Sequence, residues 1–467
     1  MIVKQTEERS ANAPRTWVAS AAILSGLFVY YALSFFRYRP YEVDNPWFLS
    51  FSYDTTIEHI YTDQFLHVHF PAGMDGTQLF GKLAAYVQWL FLARFGWQQE
   101  AAFLLSASLV VVALLCWWLQ LRHLGYSRQF VQSFLIVAGV SEPFLSVANK
   151  FRYEGLALAM ISGGLLLVAS RRLVAGVFLA ALAVELEPMA LAGLIPVMVL
   201  VFSLEQRNRR LLLRLGGAFA LAAACYVALH PDFLVILRGL AQAVSAHEPL
   251  EGGFFAAYFL RRARHWPELL CFLAAAFFYW RRRHEFASHY LAYSALLLTV
   301  FSVAMPHGNP SYIIFCYPFL IAVSLLAFGV ERRMWIVAVW VLLMLPQQIY
   351  LAYLTRHVAL RSNDMAQVSD AVHRAEQSLG LADEKVQIYG DYRLWFAHPH
   401  FYHAGAQGTL PLADRADLFV CYNYAPGPPE FEPALLVYCP QLEAMFPLRV
   451  VETTRIHDQQ VFVYARK

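Results

Sequence analysis

The sequence predicts an α-helical polytopic membrane protein with about 11 transmembrane helices and a small C-terminal α/β extracytoplasmic domain. Hydrophobic residues make up 59% of the 467 residues and charged residues only 15%, whereas a soluble domain carries about 25% charged residues. The mean hydropathy is +0.45, and most apolar residues lie in runs long enough to cross a bilayer. These observations exclude a soluble globular protein, and the net charge of +3 argues against nucleic acid as a partner.

The membrane domain is predicted to occupy residues 1–354. Its first apolar run, 16–36, has the length of a full span and no small-residue cleavage site, so it reads as an uncleaved anchor. The run 79–95 contains Lys82, Gln88 and Arg94, which favour a helix lying on the membrane rather than across it. With that assignment and a cytoplasmic N-terminus, most arginines between spans fall on the cytoplasmic side, as expected.

The same topology places the long, aromatic loop 37–100 on the outer side of the membrane, with membrane-parallel helices in it. Residues 355–467 also fall on the outer side and form the second predicted domain. An amphipathic pattern over 362–380 predicts a helix, and β-rich runs separated by turn residues predict strands at 386–390, 417–422, 435–438, 449–452 and 460–464. Cys421 and Cys439 are the two cysteines of this tail, and a disulfide between them is left open.

Polar side chains that could support catalysis collect on the outer side. Glu42 and Asp44 follow the first span, where a carboxylate can act as a general base or a metal ligand, or remain a solvated loop acid. Lys150, Arg152 and Glu154 lie between two apolar runs, where a functional cluster and ordinary snorkelling at helix ends are both open.

Further basic groups occur later in the chain. Arg261 and Arg262, followed by Arg264 and His265, oppose the expected charge asymmetry, which suggests phosphate binding or a contact with anionic headgroups. His307 lies in a tight turn between two spans, where it either binds a ligand or has a structural role. Glu185 and Glu187 lie in a short outer loop, where they face a cavity or cap the helix that Pro188 begins.

This arrangement resembles the GT-C membrane glycosyltransferases, which include protein O-mannosyltransferases and lipid A aminoarabinose transferases and use polyprenyl-phosphate sugars. Glu42 and Asp44 stand where adjacent acids are usual, although Val43 separates them here. The run 79–95, ending in Phe-Gly, is similar to the family's second membrane-parallel helix. Glu154, in Lys-Phe-Arg-Tyr-Glu-Gly-Leu, occupies the second acidic position, and 307–319 resembles the late motif that leads into a Pro-bearing helix.

The resemblance implies inverting transfer of a sugar, a hexose or pentose, from a polyprenyl-phosphate donor to a glycan, lipid or protein acceptor at the outer face. Asp44 is then the first candidate for the base and Glu42 the second, and Glu154 orients the acceptor or shares a divalent cation with Asp44. Lys150, Arg152, Arg261, Arg262 and His307 are candidates for stabilising the phosphate leaving group. No organic cofactor is implied, and the metal requirement stays open.

Two other functions are compatible with the sequence. A secondary transporter predicts broken helices and acids at mid-membrane, and a non-catalytic assembly subunit predicts that Asp44 and Glu154 lie far apart. In each case the bacterial inner membrane is the expected location, with the N-terminus cytoplasmic and the C-terminal domain periplasmic.

Overall fold

The computed structural model describes much of the chain, namely residues 13–37, 81–96, 99–149, 152–205, 209–230, 253–286, 288–305, 310–331, 333–357, 362–381, 386, 388–390, 402–403, 416–423, 439–456 and 459–467. The larger helices are α1 (Ala13–Arg37), α2 (Lys82–Phe95), α3 (Gln99–His123), α4 (Arg128–Val140), α5 (Glu142–Asn149), α6 (Glu154–Ala169), α7 (Leu173–Leu186), α8 (Leu191–Leu204), α9 (Arg209–Leu229), α10 (Trp266–Arg281), α11 (Tyr290–Ala304), α12 (Tyr317–Phe328), α13 (Trp335–His357), α14 (Ser362–Leu379) and α15 (Cys439–Met445).

Helices occupy each of the eleven predicted spans. Within the described ranges, segments of α1, α3 and α9 are long and apolar enough to cross a membrane, and α4 with α5 makes a fourth span if this pair, bent by 58°, is counted as one. Helices α6, α7, α11, α12, the apolar part of α13 and the run Pro188–Leu204 are also apolar but have only 10–17 residues. The predicted class, a polytopic α-helical membrane protein, is confirmed.

Short turns reverse the chain between successive helices and bring their ends together. The Nη1 of Arg171, between α6 and α7, donates to the carbonyl of Leu204 at 2.7 Å and lies 3.1 Å from Glu205. In the same way, the Nη1 of Arg282 donates to the carbonyl of Ala327 at 3.2 Å. We call the end that carries these turns the basic end, and the end where α5 meets α6 and α7 meets α8 the acidic end.

Helices α6 and α7 pack with their backbones in close contact. A Cβ atom added at Gly164 would lie 2.7 Å from the carbonyl oxygen of Gly176, and one added at Gly176 would lie 2.6 Å from that of Gly164. Small residues at such crossings let apolar helices gain dispersion contacts that bulkier side chains would prevent. This crossing therefore holds α6, whose first residue is Glu154, against α7.

The C-terminal region contains a five-stranded sheet of β1 (Ile388–Gly390), β2 (Tyr402–His403), β3 (Leu418–Asn423), β4 (Leu448–Ile456) and β5 (Gln459–Arg466). Its order is β2-β1-β3-β5-β4, with β1 parallel to β2 and β3 and the other pairs antiparallel. Helix α14 packs on this sheet and buries Val368, Val372 and Ala375, the face that the amphipathic pattern predicts.

Cys421 of β3 and Cys439 of α15 form a disulfide, so one of the two states left open by the sequence is the one observed. The predicted strand at 435–438 lies outside the described residues, and β2 has no counterpart among the predicted strands. The boundary between 354 and 355 stays a prediction; helix α13 continues to His357.

Candidate functional site

Half of the predicted site residues lie in the described part of the chain. Arg152, Glu154, Arg261 and Arg262 are described, whereas Glu42, Asp44, Lys150 and His307 lie outside it. Residues 38–80 of the predicted outer loop also lie outside it, while the run 79–95 contains the helix α2. The roles assigned to all eight residues stay predictions.

Arg152 and Glu154 form a buried ion pair at the acidic end. Glu154 is the first residue of α6, and its Oε1 lies 3.0 Å from the Nε of Arg152. The exposed fraction is 3% for the Glu154 side chain and 12% for that of Arg152. A carboxylate this deeply buried requires a charge partner, because the loss of its hydration costs about 5 kcal/mol. The helix N-terminus adds a favourable dipole.

Glu187 is a second buried carboxyl group beside Glu154. It lies between α7 and a short 3₁₀ helix, Pro188–Ala190. Its Oε1 accepts a hydrogen bond from the Met189 amide at 3.4 Å. Tyr312 lies close enough to Glu187 for the two groups to interact electrostatically. Burial and, next in size, the negative charge of Glu154 together raise the pKa of Glu187 to about 8. Of the two alternatives that the sequence left open for this acid, capping is the one that this contact with Met189 shows, and the cavity stays a prediction.

Glu185 holds the beginning of α2 against the bundle. Its Oε1 accepts the Lys82 amide at 2.8 Å and lies 3.0 Å from the Nε2 of His230. The Lys82 Nζ donates to the Leu229 carbonyl at 2.6 Å, so α2 is also tied to the end of α9. The amide of Gly81 donates to the Glu185 carbonyl at 2.6 Å. The beginning of α2 is thus joined to the acidic end at Glu185, two residues before Glu187.

The basic group at 261–265 is joined to an acid that the sequence analysis missed. Glu142 begins α5, directly after the bend at Ser141, and its Oε2 lies 3.0 Å from the Nε2 of His265. Its Oε1 lies 3.8 Å from Arg264. The signal that could have found Glu142 is a single carboxylate inside the predicted span 129–148, since a charge there needs a partner.

Aromatic side chains lie between the two acidic groups. The ring of Tyr312, which lies near Glu187, meets the ring of Phe254 edge-on at 6.3 Å between centroids. The ring of Tyr258, which donates to Glu142 at 3.3 Å, lies 6.1 Å from that of Tyr317. The segments 253–260 and 310–317 therefore connect the surroundings of Glu154 with those of Glu142.

No group of three or more His, Cys, Asp or Glu side chains in the described ranges could hold a metal ion. The predicted cation shared by Asp44 and Glu154 stays a prediction, because Asp44 lies outside those ranges. In the described part, Glu154 has Arg152 as its charge partner.

No family model matches this chain, and no curated protein matches it. Among solved structures, the chain is similar to the crystal structure of ArnT from Cupriavidus metallidurans bound to undecaprenyl phosphate. The similarity has a TM-score of 0.55 at 15% sequence identity and covers 97% of this chain and 98% of that one. The predicted fold is therefore confirmed over nearly the whole length: this chain has the fold of ArnT.

Proposed function

We propose that this protein is an integral membrane glycosyltransferase that moves a sugar from a polyprenyl-phosphate donor to an acceptor at the outer face, with inversion. The observation that carries the proposal is the shared fold with ArnT, which covers 97% of the chain and whose crystal structure holds undecaprenyl phosphate. The buried acidic and basic side chains at one end of the bundle supply the chemistry that such a transfer needs.

In the proposed reaction the bond between the anomeric carbon and the phosphate oxygen breaks, and a bond from the acceptor atom to that carbon forms. The acceptor's proton passes to a carboxylate, for which Asp44 is the first candidate and Glu42 the second. The electron pair of the broken bond leaves with the polyprenyl phosphate. Glu154 orients the acceptor, which is a glycan, a lipid or a protein.

The leaving phosphate gains negative charge in the transition state, so cations placed in advance lower the barrier. The candidates are Lys150, Arg152, Arg261, Arg262 and His307. Arg152 is already paired with Glu154, and therefore offers less net charge to a phosphate than an arginine with no carboxylate beside it. Within the described ranges neither Arg261 nor Arg262 has a carboxylate in ion-pair contact, which makes these two the better candidates.

A divalent cation between Asp44 and Glu154 would need room at a carboxylate that Arg152 now contacts. Glu154 contributes one carboxylate to such a site, and a bound cation would polarise the acceptor or the phosphate. The proposed transfer itself is described with the side chains of this chain and without a cation.

We place the protein in the bacterial inner membrane, with the N-terminus cytoplasmic and the sheet of the C-terminal region periplasmic. The basic end, which carries Arg171 and Arg282, would then face the cytoplasm, as the usual distribution of arginine favours. The acidic end would face the periplasm, where a lipid-linked sugar is presented. The disulfide between Cys421 and Cys439 is compatible with an oxidising compartment.

The test is mass analysis of lipids and surface glycans from a strain that lacks this protein, complemented with wild type, Asp44→Asn or Glu154→Gln. We expect one glycosylated product to disappear in the deletion strain, with its lipid-linked sugar accumulating, and to return with wild type but not with Asp44→Asn or Glu154→Gln. Glu205→Gln, which alters an exposed carboxylate at the basic end, is the control and should restore the product. Unchanged glycans in the deletion strain would contradict the proposal.

One feature favours the transporter alternative, namely the 58° bend between α4 and α5 beside the buried Glu142. Bent spans with a buried acid occur in transporters. Proteoliposomes separate the two functions, because a transporter moves its substrate without breaking a covalent bond, whereas a transferase releases polyprenyl phosphate in proportion to the product.

A further inference from the structure

A buried polar cluster lies around His265. Its members are Glu142, Tyr258, Arg264, His265 and Glu268, and we call it the His265 cluster. The Nε2 of His265 lies 3.0 Å from Glu142, and its Nδ1 lies 3.8 Å from Glu268. His265 and Glu268 are fully buried and Glu142 nearly so. The predicted reaction uses none of the three, so their burial needs another explanation.

The cluster joins several separate elements at the acidic end. Glu142 begins α5, Tyr258 lies in the π-helical turn Ala256–Leu260, and Glu268 lies in the first turn of α10. The Tyr258 ring lies 4.0 Å from the His265 ring and its hydroxyl donates to Glu142. Tyr317 of α12 and Gln347 of α13 also lie beside Glu268. The cluster is therefore a point where helices that are distant in sequence are fixed to one another.

Arg261 and Arg262 lie at a corner that this cluster holds. The Arg261 amide donates to the Ala256 carbonyl at 3.0 Å, which closes the π-helical turn, and the His265 amide donates to the Arg262 carbonyl at 2.9 Å. The two arginines thus lie between two tight turns. Beyond the corner, Arg264 reaches Glu142 at 3.8 Å. Arg261 is exposed and Arg262 half-buried, so the cluster holds the backbone inside while these two side chains remain near the surface.

We propose that Glu142 and His265 are positioning residues that hold Arg261 and Arg262 in place to bind the phosphate of a polyprenyl monophosphate. This inference rests on the proposed function. It assigns the bend between α4 and α5 a purpose, because the bend delivers Glu142 to His265. The contacts are divided in the same way: Arg264 and His265 face Glu142 and Glu268 inside the cluster, whereas neither Arg261 nor Arg262 has a carboxylate within ion-pair distance among the described residues.

The experiment measures binding of undecaprenyl phosphate to the purified full-length protein in nanodiscs, by ligand-induced rise in melting temperature and by titration. The variants are Glu142→Gln and the milder Tyr258→Phe, which removes one hydroxyl and keeps the ring. Glu205→Gln, at the basic end, is the matched control. We expect the dissociation constant to rise about 10-fold in Glu142→Gln, the equivalent of one hydrogen bond to a charged group, and about 3-fold in Tyr258→Phe.

A structural role alone predicts a different pattern. It would lower the melting temperature of the ligand-free variants and leave the dissociation constant of the folded fraction unchanged, and that result would overturn the inference. We expect instead that turnover at saturating donor is retained in Tyr258→Phe while KM for the donor rises.

A second arm replaces undecaprenyl phosphate with phosphatidylglycerol at the same mole fraction. Equal effects of Glu142→Gln on both lipids would identify a general contact with anionic headgroups and overturn the inference. If wild type binds undecaprenyl phosphate, and Glu142→Gln weakens that binding, but wild type transfers no sugar, only the proposed function is contradicted. Absence of undecaprenyl phosphate binding by wild type would contradict both.

Discussion

The guanidinium Nε of Arg152 lies 3.0 Å from the carboxylate Oε1 of Glu154, and both side chains are largely buried at the acidic end of the bundle. The two residues are separated only by Tyr153, so the pair lies at the beginning of α6. A buried pair of this kind contributes little net stability compared with apolar residues, but removal of one partner leaves an uncompensated charge. Arg152 and Glu154 should therefore behave as a unit.

The two single substitutions at this pair are predicted to cost more stability in sum than the double substitution. Arg152→Ala leaves Glu154 without its charge partner, and we expect a loss of about 3–5 kcal/mol in stability. Arg152→Ala combined with Glu154→Gln should lose clearly less than the sum of the two single variants, because neither charge is stranded. Denaturation of the purified protein in detergent measures each loss. Additive losses would contradict the coupling.

The same variants separate stability from catalysis. If Glu154 orients the acceptor, Glu154→Gln should reduce turnover about 10²-fold to 10⁴-fold, and the double variant should recover stability without recovering turnover. Recovery of both would reduce Glu154 to a structural partner of Arg152.

Glu187 is predicted to make stability depend on pH. Burial, reinforced by the charge of Glu154, raises the pKa of Glu187 to about 8, compared with an ordinary value of 4.5. Between these values the folded chain keeps a proton that the unfolded chain releases, so stability falls as pH rises through this window. Each tenfold difference in proton affinity is worth about 1.4 kcal/mol.

The measurement is the melting temperature of wild type and Glu187→Gln across this pH range. Glutamine carries no ionisable proton. We therefore expect the melting temperature of the variant to fall much less with rising pH than that of wild type, so that the difference between the two shifts in favour of the variant near the upper end of the window. Parallel curves would show that another group is responsible.

The spans were predictable because their signal is local. A run such as 16–36 is apolar in itself, and the helix Ala13–Arg37 forms there. The amphipathic face of 362–380 and the strands near Leu418–Asn423 and Gln459–Arg466 were visible for the same reason. Strand β2 was missed because two residues carry no pattern and its pairing with β1 exists only in three dimensions.

The acidic end was only partly predictable. Arg152 and Glu154 are neighbours in sequence, so their pairing follows from local chemistry. Glu142 meets His265 across more than a hundred residues, and only the bend at Ser141 brings the two together. The position of Glu187 beside Glu154 likewise depends on the packing of α6, α7 and α8. Chain topology places these acids at one end, but side-chain contacts across helices were beyond pattern analysis.

The disulfide between Cys421 and Cys439 is predicted to stabilise the sheet of the C-terminal region. It closes a loop of 18 residues in sequence, for which restriction of the unfolded chain is worth about 3 kcal/mol. We expect Cys421→Ser combined with Cys439→Ser to make the C-terminal region more sensitive to limited proteolysis. Cys225→Ser, which changes a free cysteine of α9, is the control. Equal protease sensitivity of the double variant and this control would contradict the prediction.

Gly81 and Gly96 flank α2 and provide a matched test of how this helix is joined to the acidic end. Both have a positive φ, 91° and 99°. Alanine at Gly81 is strained by about 1–2 kcal/mol, and alanine at Gly96, where ψ is 151°, is strained as well because only glycine adopts that region readily. A Cβ atom at Gly81 would lie 2.0 Å from the ring of Tyr153, whereas one at Gly96 meets no atom within 4 Å. Because Tyr153 separates Arg152 from Glu154, Gly81→Ala should displace the ion pair as well as strain the turn. We expect both variants to lose stability to backbone strain, and Gly81→Ala to lower the turnover of the purified protein well below that of Gly96→Ala. If the two variants lose equal amounts, backbone strain alone is at work and the contact between Gly81 and Tyr153 does not shape the site.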